Sequence, residues 1–173
     1  MRGMTVLIAV MMFGAASASA QTINDAQIAA IVVTANQIDV DAGKLATTKG
    51  ESDAVKKFGQ LMVTDHMGVN KAAGELAAKL KVVPQANATS DSLKKAAAAH
   101  MEKLKGLSGA AFDRAYIDHE VAYHQHVLDA LDKTLIPGAS NAELKALLVK
   151  VRPAFVAHLE HAKSVQKTVA TER

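Results

Sequence analysis

Three histidines stand where a packed helix would ordinarily carry hydrocarbon. His66 interrupts the series Val55, Gly59, Met62, Val69, Ala73, Leu76, Leu80. His124 interrupts Ile117, Val121, Leu128, Leu131, Leu135, and His158 interrupts Leu144, Leu148, Val151, Phe155, Ala162, Val165, Val169. The steps alternate between three and four residues, the period of a helix face turned into a bundle. An imidazole in a core must find a hydrogen-bond partner or a metal ion. Three of them on separate stripes predict one polar cluster. Asp39 and Glu120 are the carboxylates within reach, so the candidate ligands are Asp39, His66, Glu120, His124 and His158. Imidazole and carboxylate together suit a divalent metal ion. The competing expectation is a hydrogen-bonded cluster that fixes helix register without metal.

Supporting polar groups surround this set. Asp65 precedes His66 and is placed to bond an imidazole or Tyr116. Asp113 is expected to pair with Arg114 or to lie on a solvated face. His119, His126 and His161 are peripheral.

Several chemistries are excluded. Di-iron carboxylate bundles use two Glu-x-x-His pairs, and the chain contains none. His119-Glu120 opens a zinc-protease pattern, but the second histidine is His124, one residue too far. There is no Ser-His-Asp signature and no glycine-rich phosphate loop, so no catalytic residue is assigned. Met62, His66 and Met67, with His100-Met101, raise Cu(I) coordination, although Met62 is more simply core filling. The absence of cysteine rules out disulfides, thiolate ligands and a lipid-anchoring thiol.

The elements that must position these side chains read as helices throughout, with abundant alanine and few β-branched runs. The first is expected from about Asn24 to Lys49, with its apolar face at Ile28, Ile31, Ala35, Ile38, Ala42 and Leu45, and the second from Ser52 to about Leu80. A shorter helix spans about Ser90 to Lys105. The next runs from about Ala110 to Thr134 behind a Ser108 cap and ends before a Pro137-Gly138 turn. The last starts after Ser140 or Asn141 and reaches about Thr168, with Pro153 expected to kink it. Two tight hairpins and one long connection predict an all-α, ferritin-like four-helix bundle in up-down-down-up order, with the extra helix in the crossover. At about 1.5 Å per residue, His66 and His124 fall roughly 21 Å from one end, and Asp39, Glu120 and His158 roughly 6 Å nearer to it.

Residues 1–20 read as a secretory signal peptide: Arg2, an apolar run from Met4 to Ala16, and Ala18-Ser19-Ala20 as the cleavage signature. The mature part, 21–173, is expected to be one domain in the periplasm, or secreted, without a membrane span. The charges are interspersed and no basic stripe carries aromatics, so nucleic acid is not expected as a partner.

The segments Val63-Thr64-Asp65-His66, Gly109-Ala110-Ala111-Phe112-Asp113-Arg114-Ala115-Tyr116, and Pro153 with His158-Leu159 resemble the domain-of-unknown-function family 4142, exported bacterial proteins often labelled as outer membrane proteins. The resemblance covers nearly all of 21–173. Asp39 and Asp41 stand where that family tends to carry glutamates, and His124 where it has a histidine. It implies a ferritin-like bundle and no particular activity. The expected role is a non-catalytic structural or stress-related envelope protein, with a metal-ion or small-ligand binding module as the alternative.

Overall fold

Asn24 starts the first helix by a reciprocal cap: its side chain accepts the Gln27 N–H at 2.9 Å, and the Gln27 side chain accepts the Asn24 N–H at 3.1 Å. The computed structural model describes residues 23–171, so the signal-peptide reading lies outside the described residues. Helix α1 runs Asp25–Lys49 and stops at Gly50. Helix α2, Asp53–Leu80, begins behind the Ser52 cap. Helix α3 is Ala88–Lys105, starting two residues earlier than expected because Asn87 accepts the N–H groups of Thr89 and Ser90. Helix α4 is Gly109–Ala130, and helix α5 is Ala142–Thr171. The described residues contain no strand, and none of their helices is long and apolar enough to cross a membrane.

Two boundaries depart from expectation. Beyond Ala130 the chain stays helical: Leu131–Leu135 winds wider, with the Ile136 N–H reaching the Leu131 carbonyl, and one more turn covers Ile136–Gly138. Pro137 does not end the helix because it falls in the first turn after the wide segment, where no N–H is needed. Leu131 and Leu135, four residues apart on one face, are both buried. Pro153, in turn, does not interrupt α5. It is exposed, and Val149, whose carbonyl loses its usual donor, is 52% exposed, so that carbonyl is left to water.

Pairwise contacts fix the helix directions. Asn36 faces His66 and Gly43 faces Gly59, so α1 and α2 are antiparallel. Asp132 bonds Arg152 while Asp118 bonds Gln166, which makes α4 and α5 antiparallel. Asp65 to His158 and Lys79 to Glu143 do the same for α2 and α5. Helix α3 starts beside Gln27 and ends beside Lys49, running along α1. It returns the chain to the end where α2 began.

Each hairpin turn is held by a carboxylate of the other hairpin. Asp113 on α4 accepts the N–H groups of Glu51 and Ser52 at 3.0 and 2.7 Å. Asp25 on α1 accepts those of Ser140 and Asn141 at 2.9 and 3.0 Å. This corrects the expectation for Asp113. It is buried and caps α2 from another helix, where the positive helix start favours a carboxylate. Asp113→Ala removes two charge-assisted bonds and leaves the Glu51 and Ser52 N–H groups without their acceptor. It should cost about 2–4 kcal/mol in urea unfolding, with Asp113→Asn losing less because one acceptor stays.

The apolar core is divided. One cluster gathers Ile28, Val32, Leu131, Leu148 and Phe155; the other gathers Val55, Phe58, Met62, Phe112 and Tyr116. The buried polar residues of mid-helix α1, α2, α4 and α5 lie at the level where the two meet.

Candidate metal centre

All five expected ligands are buried, and all four long helices contribute: Asp39 from α1, His66 from α2, Glu120 and His124 from α4, His158 from α5. The ring centroids of the three imidazoles are 5.1 to 5.7 Å apart. The Asp39 carboxylate lies 3.4 Å from His66 Nε2, and Glu120 Oε2 lies 3.5 Å from His124 Nδ1. The two heights inferred from rise per residue therefore merge into one level. A straight-rod count ignores helix tilt, and side chains of this length reach across the difference.

Each imidazole is tied on one side only. His66 Nδ1 is 2.7 Å from Asn36 Oδ1, whose own amide nitrogen donates to the Val32 carbonyl at 2.8 Å. Asn36 Oδ1 is thus an acceptor, and His66 donates from Nδ1. His124 Nδ1 donates to the Glu120 carbonyl at 3.0 Å, and His158 Nε2 donates to Asp65 Oδ2 at 2.9 Å. In the neutral rings the lone pairs are then on His66 Nε2, His124 Nε2 and His158 Nδ1. These three nitrogens are buried and have no hydrogen-bond partner among the described residues. Anchoring one ring N–H on an oxygen while the other nitrogen stays available is how proteins orient imidazole ligands.

Ligand atoms of His66, His124 and His158 lie within 4.8 Å of one another, as do those of Asp39, Glu120 and His124. Two atoms bonded to one ion at about 2.1 Å are at most about 4.2 Å apart. A small contraction would close either trio on an ion, with His124 common to both.

Burial governs the protonation of this group. Burial, then the neighbouring Glu120, pushes Asp39 well above the usual carboxylate range. Burial raises Glu120 to about 8, against the lowering effect of Asp39 and Tyr116. Burial, then His124 and His158, holds His66 down at about 2. Burial lowers His124 to about 4, although its bond to the Glu120 carbonyl works the other way. At neutral pH His66 and His124 are thus uncharged, and Glu120 retains its proton.

A pH dependence of stability follows. The depressed histidines penalise the fold as pH falls below about 6.5, where the unfolded imidazoles protonate. The raised carboxyls penalise it as pH rises above about 4, where the unfolded carboxyls ionise. Between about 4.5 and 6.5 the depressed His66, His119 and His124 outnumber the raised Asp39 and Glu120, so stability still rises with pH. Metal-free protein should therefore show its highest urea midpoint at about pH 6.5 and lose stability on both sides. Glu120→Gln should flatten the decline between about pH 6.5 and 8, because it removes a carboxyl that keeps its proton up to about 8 in the fold and loses it at about 4 in the unfolded chain.

The supporting residues sort partly as expected, since Asp65 does bond an imidazole. Asp65 bonds His158 and not Tyr116. Tyr116 is fully buried against Glu120. Asp113 belongs to the α2 cap. The Cu(I) grouping does not assemble: Met67 is 54% exposed, and His100 stacks on His119 with ring centroids 3.6 Å apart. His126 and His161 are exposed.

Three positioning residues were not singled out as such. Asn36 orients His66. Tyr123 donates to the Ala35 carbonyl at 3.2 Å beside His124. Phe155, expected only as core, packs its ring 5.2 Å from His66 and 6.0 Å from His124. The signal for Asn36 is present: Val32, Asn36, Asp39, Gly43 and Ala46 repeat at helical spacing and all are buried. The inward face of α1 is rotated toward them, leaving Ile38 and Leu45 only half-buried.

Comparison with curated proteins and with solved structures finds no match. The family comparison does: the model described as a domain of unknown function, DUF4142, matches residues 11–165, so this helical chain, with its buried histidine and carboxylate cluster, belongs to that family.

Proposed function

We propose that this chain is an exported, non-catalytic metal-binding protein that holds a divalent first-row transition ion on His66, His124 and His158, with Asp39 and Glu120 as the carboxylate ligands. The observation that carries the reading is the orientation of the imidazoles. All three turn an unpartnered nitrogen inward, and each is anchored by its other nitrogen. A cluster that served only to set helix register would be expected to pair its buried polar atoms. That consideration moves the balance from a purely structural envelope protein to a binding module. The nitrogen-rich, thiolate-free donor set suits iron, nickel, copper(II) or zinc better than magnesium or calcium.

The antiparallel pairings, with α2 and α4 starting at the same end, support a ferritin-like up-down-down-up bundle. Export to the periplasm rests on Arg2, the Met4–Ala16 run and Ala18-Ser19-Ala20. The intact mass of protein recovered from the periplasm should correspond to a start at Gln21.

The test is metal content of the 21–173 protein, prepared without a histidine tag and loaded in turn with each divalent ion from manganese to zinc. The reading expects at least one of these ions to remain after dialysis at a fixed stoichiometric ratio to chain. Failure of every ion to remain above background would refute it. Because the ligands must shed protons, uptake near pH 7 should also acidify an unbuffered solution.

A further inference from the structure

A cavity of about 370 Å³ lies between α1, α3, α4 and α5, bounded at one end by the wide turn Leu131–Leu135. Its walls owe their distance to small side chains. Ala35 on α1, Ala96 and Ala97 on α3, and Ala122 and Ala130 on α4 all face it. Leucines at these positions would have closed the gap. The pocket opens to solvent beside Ala96, Ala122 and His126, so its apolar walls stay against water unless something covers them.

The chemistry of the walls restricts the occupant. No aspartate, glutamate, lysine or arginine lines the cavity. The polar groups that do are largely committed: the Asn36 amide to His66 and Val32, the Tyr123 hydroxyl to Ala35, His126 Nδ1 to Ala122. Burial holds His119, on the same wall, at about 4, so it is neutral at physiological pH. A charged headgroup would lose its hydration here without gaining a counter-charge. The volume falls at the lower end of ligand pockets, enough for a molecule of about three aromatic rings.

We infer that this cavity binds one small, neutral, apolar molecule, seated against Asn36, Tyr123 and Phe155. These three residues form the partition between the cavity and the imidazoles of the candidate metal centre. The occupant therefore lies one side chain away from His66 and His124. Binding does not depend on metal, so the two readings can fail separately.

The test uses N-phenyl-1-naphthylamine, a neutral two-part aromatic fluorophore, added to the 21–173 protein. A saturable fluorescence rise at one probe per chain is expected. Ala97→Phe and Ala130→Phe place a ring in the cavity from partly buried positions on two different helices. Each should weaken the probe by about tenfold or more, with the urea midpoint and metal content kept. Decanol should displace the probe, and decyl sulfate, with the same chain length but a charge, should do so about tenfold less well. A linear, unsaturable response would overturn the inference, as would equal binding by both folded phenylalanine variants or equal displacement by the charged chain. Metal loading measured on the same samples shows whether the metal reading stands when the cavity reading does not.

Discussion

His124→Leu should abolish metal retention and leave the metal-free fold nearly as stable as before. His124 belongs to both ligand trios, so its loss removes a donor from either. Apparent affinity should fall by more than the 10–100-fold typical of changes one shell further out. The stability of the metal-free protein obeys a different logic. The acceptor of His124 is the Glu120 carbonyl, which also receives the helical N–H of its own turn, so no buried group is orphaned. A polar atom without a partner is replaced by hydrocarbon, and the urea midpoint should shift by less than about 1 kcal/mol equivalent. His66→Leu loses metal equally but strands Asn36 Oδ1, and should cost about 1–3 kcal/mol. Asn36→Ala keeps every ligand and should still weaken metal binding by about 10–100-fold. A cluster that exists only to stabilise the fold would give the opposite result for His124→Leu, a large loss of stability.

Gly43→Val should be the most damaging single substitution for the fold. A Cβ at Gly43 would lie 2.6 Å from the Gly59 carbonyl oxygen, and one at Gly59 would lie 2.8 Å from the Gly43 carbonyl oxygen. These obstacles are backbone, so α1 and α2 must move apart. A cost of about 3 kcal/mol or more in thermal or urea unfolding is expected. The shift also separates Asp39 from His66, one turn away, and metal retention should drop with it. Gly68 and Gly74 provide the control. A Cβ at either meets nothing within 4 Å, and alanine there should stabilise α2 by about 0.5–1 kcal/mol each.

The contrast between these glycines marks where the sequence was readable. Helix boundaries at Asn24, Gly50 and Ser52 follow from local capping chemistry, and the buried stripes of α2, α4 and α5 follow from periodicity. Both are written in neighbouring residues. Gly43 and Gly68 look alike in the chain, and only the crossing of two helices distinguishes them. Asp113 has the same difficulty, because its partners are about sixty positions away and belong to a turn. Asn36 was obscured by the choice of face on α1, a helix apolar over most of its circumference and so a weak guide to its own rotation. Convergence of His66, His124 and His158 was legible as types and spacing. The direction of each inward nitrogen was not, since it depends on Asn36, a carbonyl and Asp65 on the far side of each ring.

The exchange of carboxylates between the hairpins has a consequence for how the molecule opens. The α1–α2 turn is closed by Asp113 of the other hairpin, and the α4–α5 turn by Asp25. Neither hairpin carries the groups that complete its own corner. Cutting the chain in the α3 connection would therefore yield two halves that each lack the carboxylate closing their corner, and mixing the halves should increase their helix content. In the intact protein the amides of Ser52 and Asn141 cannot be released by local fraying alone, because the clamp is lost only when the hairpins separate. Their hydrogen exchange should follow the slow, global opening of the whole bundle, which is unusual for residues in surface turns.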